Sequence, residues 1–199
     1  GNQIGSVDSL GNFIPKSTTF VTTIDTTAPN LYLWNTTGVG YTPTSLGASF
    51  YNGQSSVSVT QDVTFVSPET LKLGAGGFIL LQVRGNTSNN SQVVERFDVS
   101  TAVQQADGSY TITGQHWDAT ANSNAGAWVN GIGRLTLDNK TVNINPEKAL
   151  AYGASYEVIL QSYTDAQSVV HNPMMDLSGN VATGLSTPNS SIYFSTYSN

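Results

Sequence analysis

Leu135-Thr-Leu-Asp-Asn-Lys-Thr-Val-Asn-Ile144 is the stretch on which the reading of this chain turns. Leu135 and Leu137 lie on one side of Asp138, Asn139 and Lys140, and Val142 and Ile144 lie on the other. Successive side chains of a strand point to opposite faces, so apolar residues at spacing two predict a hairpin with every inward position aliphatic. The same spacing recurs at Val57 and Val59, from Phe78 through Val83, at Tyr110 and Ile112, and from Tyr156 through Leu160. Helical periodicity is confined to Pro68 to Leu73 and Glu147 to Tyr152. Each is one or two turns long, begins with or follows a proline, and is expected to be a connector between strands. Many short strands broken by Gly, Asn and Pro predict an all-β sandwich with Greek-key connections.

Composition narrows the function classes. Charged residues make up 10% of the 199-residue chain, against about a quarter in an average domain. Solubility then falls to Thr, Ser, Asn and Gln, a composition typical of secreted surfaces. The net charge is −6 and no Lys/Arg cluster occurs, so there is no electrostatic footprint for nucleic acid or anionic lipid. No apolar run approaches the roughly 20 residues of a membrane span, and Gly1 opens no signal-like segment, so a mature or excised piece is expected. Cysteine is absent, which removes disulfides, thiolate nucleophiles and zinc–cysteine sites and leaves the redox compartment unread.

Asp8-Ser-Leu-Gly-Asn12 recurs as Asp176-Leu-Ser-Gly-Asn180, each followed by a Ser/Thr-rich loop and a short strand, Ser17 to Thr23 and Ser191 to Thr196. A repeat of this kind reads residues 1–28 as the tail strand and linker of a preceding module. Residues 29–199 then form one complete module. Asp25-Thr-Thr-Ala-Pro29 sits at the joint, where Pro29 biases Ala28 toward extended backbone.

Three stretches, taken in order, carry a resemblance: Asp25 to Pro29, Thr141-Val-Asn-Ile-Asn-Pro146 running on through Tyr156-Glu-Val-Ile159, and Asp176 to Asn180. Together they resemble the bacterial Ig-like domain first recognised in S-layer proteins and common in large repetitive adhesins. The resemblance implies a seven-stranded sandwich at a bacterial cell surface, neighbouring Ig-like repeats in the same chain, and no catalytic apparatus. The chain departs from that pattern at about residues 85–134, where an insertion is expected to carry function.

That insertion holds Trp117 and Trp128 together with Tyr110, His116, Asp118, Asn122 and Asn130. Flat aromatic faces beside amides and carboxylates suit a carbohydrate or an extended peptide. A tryptophan pair also suits the insertion's own small core. The expectation is a surface adhesin module binding carbohydrate or peptide on another cell, with a ligand-free structural spacer as the alternative. Calcium is expected at Asp25, in keeping with arrays that use it to stiffen junctions, although calcium wants six to eight oxygens. Asp8 and Asp176 are explained without metal as Asx-turns beside Gly and Asn. His116 and His171 join no nucleophile elbow and no metal-ligand spacing, so the chain is not expected to be an enzyme.

Overall fold

The computed structural model describes residues 5–7, 9–15, 24–29, 31–33, 54–60, 62–182 and 192–198. Asp8 and the stretch from Ser17 to Thr23, on which the first copy of the repeat rests, lie outside the described residues. The architecture is all-β, as the spacing predicts. In chain order the strands are β1 (Gly5–Val7), β2 (Phe13–Pro15), β3 (Tyr32–Leu33), β4 (Gln54–Val57), β5 (Val63–Val66), β6 (Leu71–Leu73) and β7 (Phe78–Val83). They continue as β8 (Val93–Asp98), β9 (Val103–Gln104), β10 (Tyr110–Asp118), β11 (Ala127–Asp138), β12 (Thr141–Asn145) and β13 (Ser155–Gln161). The last are β14 (Tyr163–Thr164), β15 (Val170–His171), β16 (Met174–Asp176) and β17 (Ile192–Thr196).

One large sheet runs β3-β5-β12-β11-β10-β8-β7-β13-β17-β4, with β9 beside β10. Its pairings are antiparallel except β17 with β4. The sheet curls until β17 touches β3, so one face turns inward and closes on itself. β1 pairs with β2, β6 with β16, and β14 with β15 as separate two-stranded ribbons.

The opening hairpin is β11–β12. Leu135 opposes Ile144 and Leu137 opposes Val142, and all four are buried. The turn closes at Asn139, which takes a positive φ of 53°. These residues join Phe65, Ile79, Leu81, Phe97, Ile112, Val158 and Phe194 in a single core. Each such side chain contributes on the order of 1.5–3 kcal/mol when fully buried.

Neither short helix forms. Leu71 to Leu73 is a strand paired with β16, and Ser67 and Leu71 donate their N–H groups to the carbonyls of Lys140 and Asn139 at the hairpin turn. In the second stretch, Glu147 N–H goes to Glu95, Leu150 N–H to the Val59 carbonyl and Ala151 N–H to the Tyr156 hydroxyl. Backbone donors satisfied by distant acceptors have no need of a helical ladder. No helix among the described residues is long and apolar enough to cross a membrane.

Candidate functional site

Residues 85–134 supply β8, β9, β10 and most of β11, and β8, β10 and β11 occupy the middle of the large sheet, between β12 and β7. Two irregularities shape them. Between Thr113 and Gln115 the β10–β11 register shifts, so that Gly131, Ile132 and Gly133 stand against Gly114 alone. A shift by two keeps the in–out alternation intact, because side chains repeat with period two. Each strand therefore carries one set of polar residues inward and another outward at the same level.

The outward set forms a row. Leu80 opposes Arg96, Arg96 opposes Gln115, and Gln115 opposes Asn130. Arg96 donates from Nε (3.0 Å) and Nη2 (2.7 Å) to Gln115 Oε1, and Gln115 Nε2 donates to Asn130 Oδ1 (3.1 Å). The guanidinium carbon lies 4.2 Å from the centre of the Trp128 ring and 4.6 Å from that of Phe78, within cation–π range. Trp128 meets Trp117 edge to face, centroids 5.5 Å apart at 67°. Trp117 in turn lies so close to Gly126 that a Cβ there would overlap its ring. Arg96 and Trp128 form one wall of a cleft of about 150 Å³, whose other wall comes from Asn86, Thr87, Ser88 and Asn90, with Gln82 and Gln161 also lining it. The loop wall is fixed by Asn86, which accepts from Asn89 N–H and donates to the Asn89 carbonyl.

The inward set is buried at Glu95 and half-buried at His116 and Glu147. Glu95 is 1% exposed; its Oε2 accepts from Glu147 N–H at 2.9 Å, while Oε1 has no partner. Oε1 fills the space where side chains at Gly114 and Gly133 would begin, which is why that bulge is built of glycines. Burial pushes Glu95 up to about 7; the Glu147 N–H pulls the other way, and the Glu147 carboxylate adds to the rise. His116 Nδ1 stands 3.2 Å from Glu147 Oε2, near enough for an ion pair but not aligned as a hydrogen bond, so both atoms are also without a hydrogen-bond partner.

The expected ligand residues thus separate into four places. Trp117, Trp128 and Asn130 come together on the outer face. His116 points inward to Glu147, and by alternation Asp118 shares that side, its Oδ1 accepting from Thr120 N–H and Oγ. Those bonds hold Asp118 below the usual carboxylate range. Asn122 sits in the hairpin tip with φ 51°. Tyr110 lies at the opposite end of β10, across from Leu137 and Gln104, packed against the core. Composition singles out neither Arg96 nor Gln115, and it marks Glu95 only as one carboxylate among Asp98, Asp107 and Asp118. Their signal is present in Val93-Val-Glu-Arg-Phe-Asp98, where alternation sends Glu95 inward with Val93 and Phe97 and leaves Arg96 outside.

At the joint, the carboxylates of Asp25, Glu69 and Asp176 each bring one oxygen within 4.8 Å of the others. Asp176 bonds its own loop four residues on, rather than the two of an Asx-turn: Oδ1 accepts from Asn180 N–H (2.8 Å) and Oδ2 from the Asn180 amide (2.7 Å), with Gly179 at φ 94°. Burial works against that carboxylate, yet the Asn180, Gly179 and Ser178 hydrogen bonds outweigh it and leave its pKa lowered. The Asn180 amide also donates to the Asp25 carbonyl, and Glu69 Oε2 is buried without a partner. Three hard oxygen donors suit calcium in kind, though they supply fewer oxygens than a full shell.

A second cleft, of about 310 Å³, is lined by Phe78, Asp98, Ser100, Tyr163 and His171 among others. His171 Nε2 is 2.8 Å from Asp165 Oδ2, and its ring stacks on Tyr163. That hydrogen bond, with Val169 and Gln167 N–H, keeps Asp165 below the usual carboxylate range. Ser100, however, donates its hydroxyl to Asp98 at 2.6 Å, so its proton is directed at a carboxylate rather than at an imidazole base.

Comparison with known proteins finds no matching family model, no matching curated protein and no matching solved structure.

Proposed function

We propose that the chain is a non-catalytic, extracellular binding module of a bacterial surface adhesin, built on an Ig-like Greek-key sandwich, and that it binds carbohydrate in the Arg96–Trp128 cleft. The carrying observation is the outward row: a half-buried indole held beside a guanidinium and facing amides and hydroxyls on the opposite wall. A sugar ring presents an apolar face for stacking and hydroxyls at its rim, which matches this distribution. A peptide captured in extended form wants a free strand edge, and β8, β10 and β11 have partners on both sides. Calcium belongs to this reading as a separate joint ion on Asp25, Glu69 and Asp176, bracing the segment before Pro29 against the Asp176–Asn180 turn.

One observation favours the spacer. Trp117 and Trp128 spend part of their surface on each other, and Trp117 covers Gly126, as a hairpin's own packing requires. A glycan and peptide array, run with and without calcium on the wild type and Trp128→Ala, separates the readings. Glycan signals lost in Trp128→Ala support the binding module. A blank array for a folded protein in both conditions leaves the spacer.

A further inference from the structure

Resting on the carbohydrate reading, we infer that the preferred ligand is an acidic sugar, whose carboxylate is taken by Arg96. The guanidinium carries five N–H donors in a fixed fork. Nε and one donor of Nη2 are spent on Gln115 Oε1. Nη1 and the remaining Nη2 donor have no acceptor among the described residues, where the ion pairs are those of His116 and His171. Asp98, on the same strand, is near enough to interact by charge but not to pair, and its Oδ1 accepts from Ser100 N–H and hydroxyl. Glu157, the other nearby acid, is engaged by Gln82 Nε2 and Gly85 N–H.

A half-desolvated cation without a counter-ion, held in place by Gln115, Trp128 and Phe78, is prepared for a planar anion. The Nη1–Nη2 edge is the one that receives a carboxylate through two parallel hydrogen bonds. The rest of the cleft lining is neutral: Asn90 and Gln161 offer amides and Thr87 and Ser88 offer hydroxyls, while the Gln82 and Asn86 amides are bonded to each other and to their own loop. The chain as a whole carries −6, so a polyanion such as a nucleic acid is repelled. One carboxylate on a hydroxyl-rich ring meets both conditions. Uronic acids and sialic acids share that chemistry and differ in where the carboxylate sits on the ring.

The test is calorimetric titration of the whole chain with three probes: a trisaccharide carrying a single galacturonic acid, a sialylated trisaccharide and a neutral galactose trisaccharide. The inference predicts that one acidic probe binds roughly ten- to a hundredfold more tightly than the neutral one, and that added salt weakens this preference. Arg96→Gln should collapse the acidic-to-neutral ratio to near one. Arg96→Lys keeps the charge and the aliphatic stem over Trp128 and Phe78, and should restore the preference only in part. Equal binding of neutral and acidic probes, with a ratio unmoved by either variant, overturns the acidic ligand and leaves the carbohydrate reading standing. Binding of a peptide through its free C-terminal carboxylate, with no response to any sugar, overturns both.

Discussion

The inner and outer faces of β8, β10 and β11 carry polar side chains at the same level of the same strands, and they treat them in opposite ways. Inside, Glu95 is enclosed, with His116 and Glu147 half-buried beside it, and the bulge glycines make room for its carboxyl group. Outside, Arg96, Gln115 and Asn130 are tied to one another across the strands, and Arg96, with donors unspent, lines an open cleft. A carboxyl group fitted into a glycine bulge specifies the fold; a cation held rigid beside an open cleft with donors left over is available to a ligand. The two faces should therefore respond differently to substitution, the inner through stability and the outer through binding.

The largest effect is expected at the bulge. Gly133→Ala would set a Cβ into Glu95 Oε1, and the enclosed carboxyl can move only by giving up Glu147 N–H. A loss of about 2–3 kcal/mol in chemical denaturation follows. Glu95→Ala in the same background should return part of it, because the overlap disappears.

The next effect concerns pH. Burial pushes the Glu95 carboxyl up to about 7 in the folded chain from an ordinary value of 4.5, so between those values the folded state holds the extra proton. Its contribution is complete below pH 4.5, falls as pH rises, and is gone above about 7, a difference of roughly 3 kcal/mol. Melting followed from pH 4.5 to 8 should show that decline, and Glu95→Gln, uncharged throughout, should flatten it. An unchanged pH slope in Glu95→Gln would mean that the inner face is not the source.

On the outer face the ordering reverses. Trp128→Ala should weaken glycan binding about tenfold or more while lowering stability by about 1–2 kcal/mol, the cost of a half-buried edge-to-face partner. Trp117→Ala should affect binding less, since Trp117 is absent from the cleft wall. Equal losses of binding in the two variants would argue for damage to the hairpin as a whole.

The smallest effect lies at the joint. Calcium should raise the melting temperature by a few degrees at saturation, and Asp25→Ala should abolish the rise. A melting temperature unmoved by chelator would remove the ion from the account.

Much of the inner face could be read from the chain itself. Leu135, Leu137, Val142 and Ile144 lie inward as their spacing predicts, and Phe78 to Val83 is a strand with the predicted bounds. The failures share one cause. Pro68 to Leu73 and Glu147 to Tyr152 have local helical character, but the backbone donors of Leu71, Glu147 and Leu150 find partners 50 or more residues away, and no local pattern reports that. Likewise Trp117 and Trp128 were visible as residues, whereas Arg96 enters the site through cross-strand register, fixed by a bulge that composition does not show. His116 was grouped with the tryptophans by proximity in sequence, and strand alternation sends it to the opposite face.

The most direct test of the central claim is an NMR titration of the labelled chain with the trisaccharide carrying a single galacturonic acid. The account predicts that the Trp128 indole N–H and the Arg96 Nε–H resonances shift together in a saturable manner, while the amides of Gly131 and Gly133 hold still. Shifts confined to the glycines and His116, or no saturable shift on either face, would contradict it.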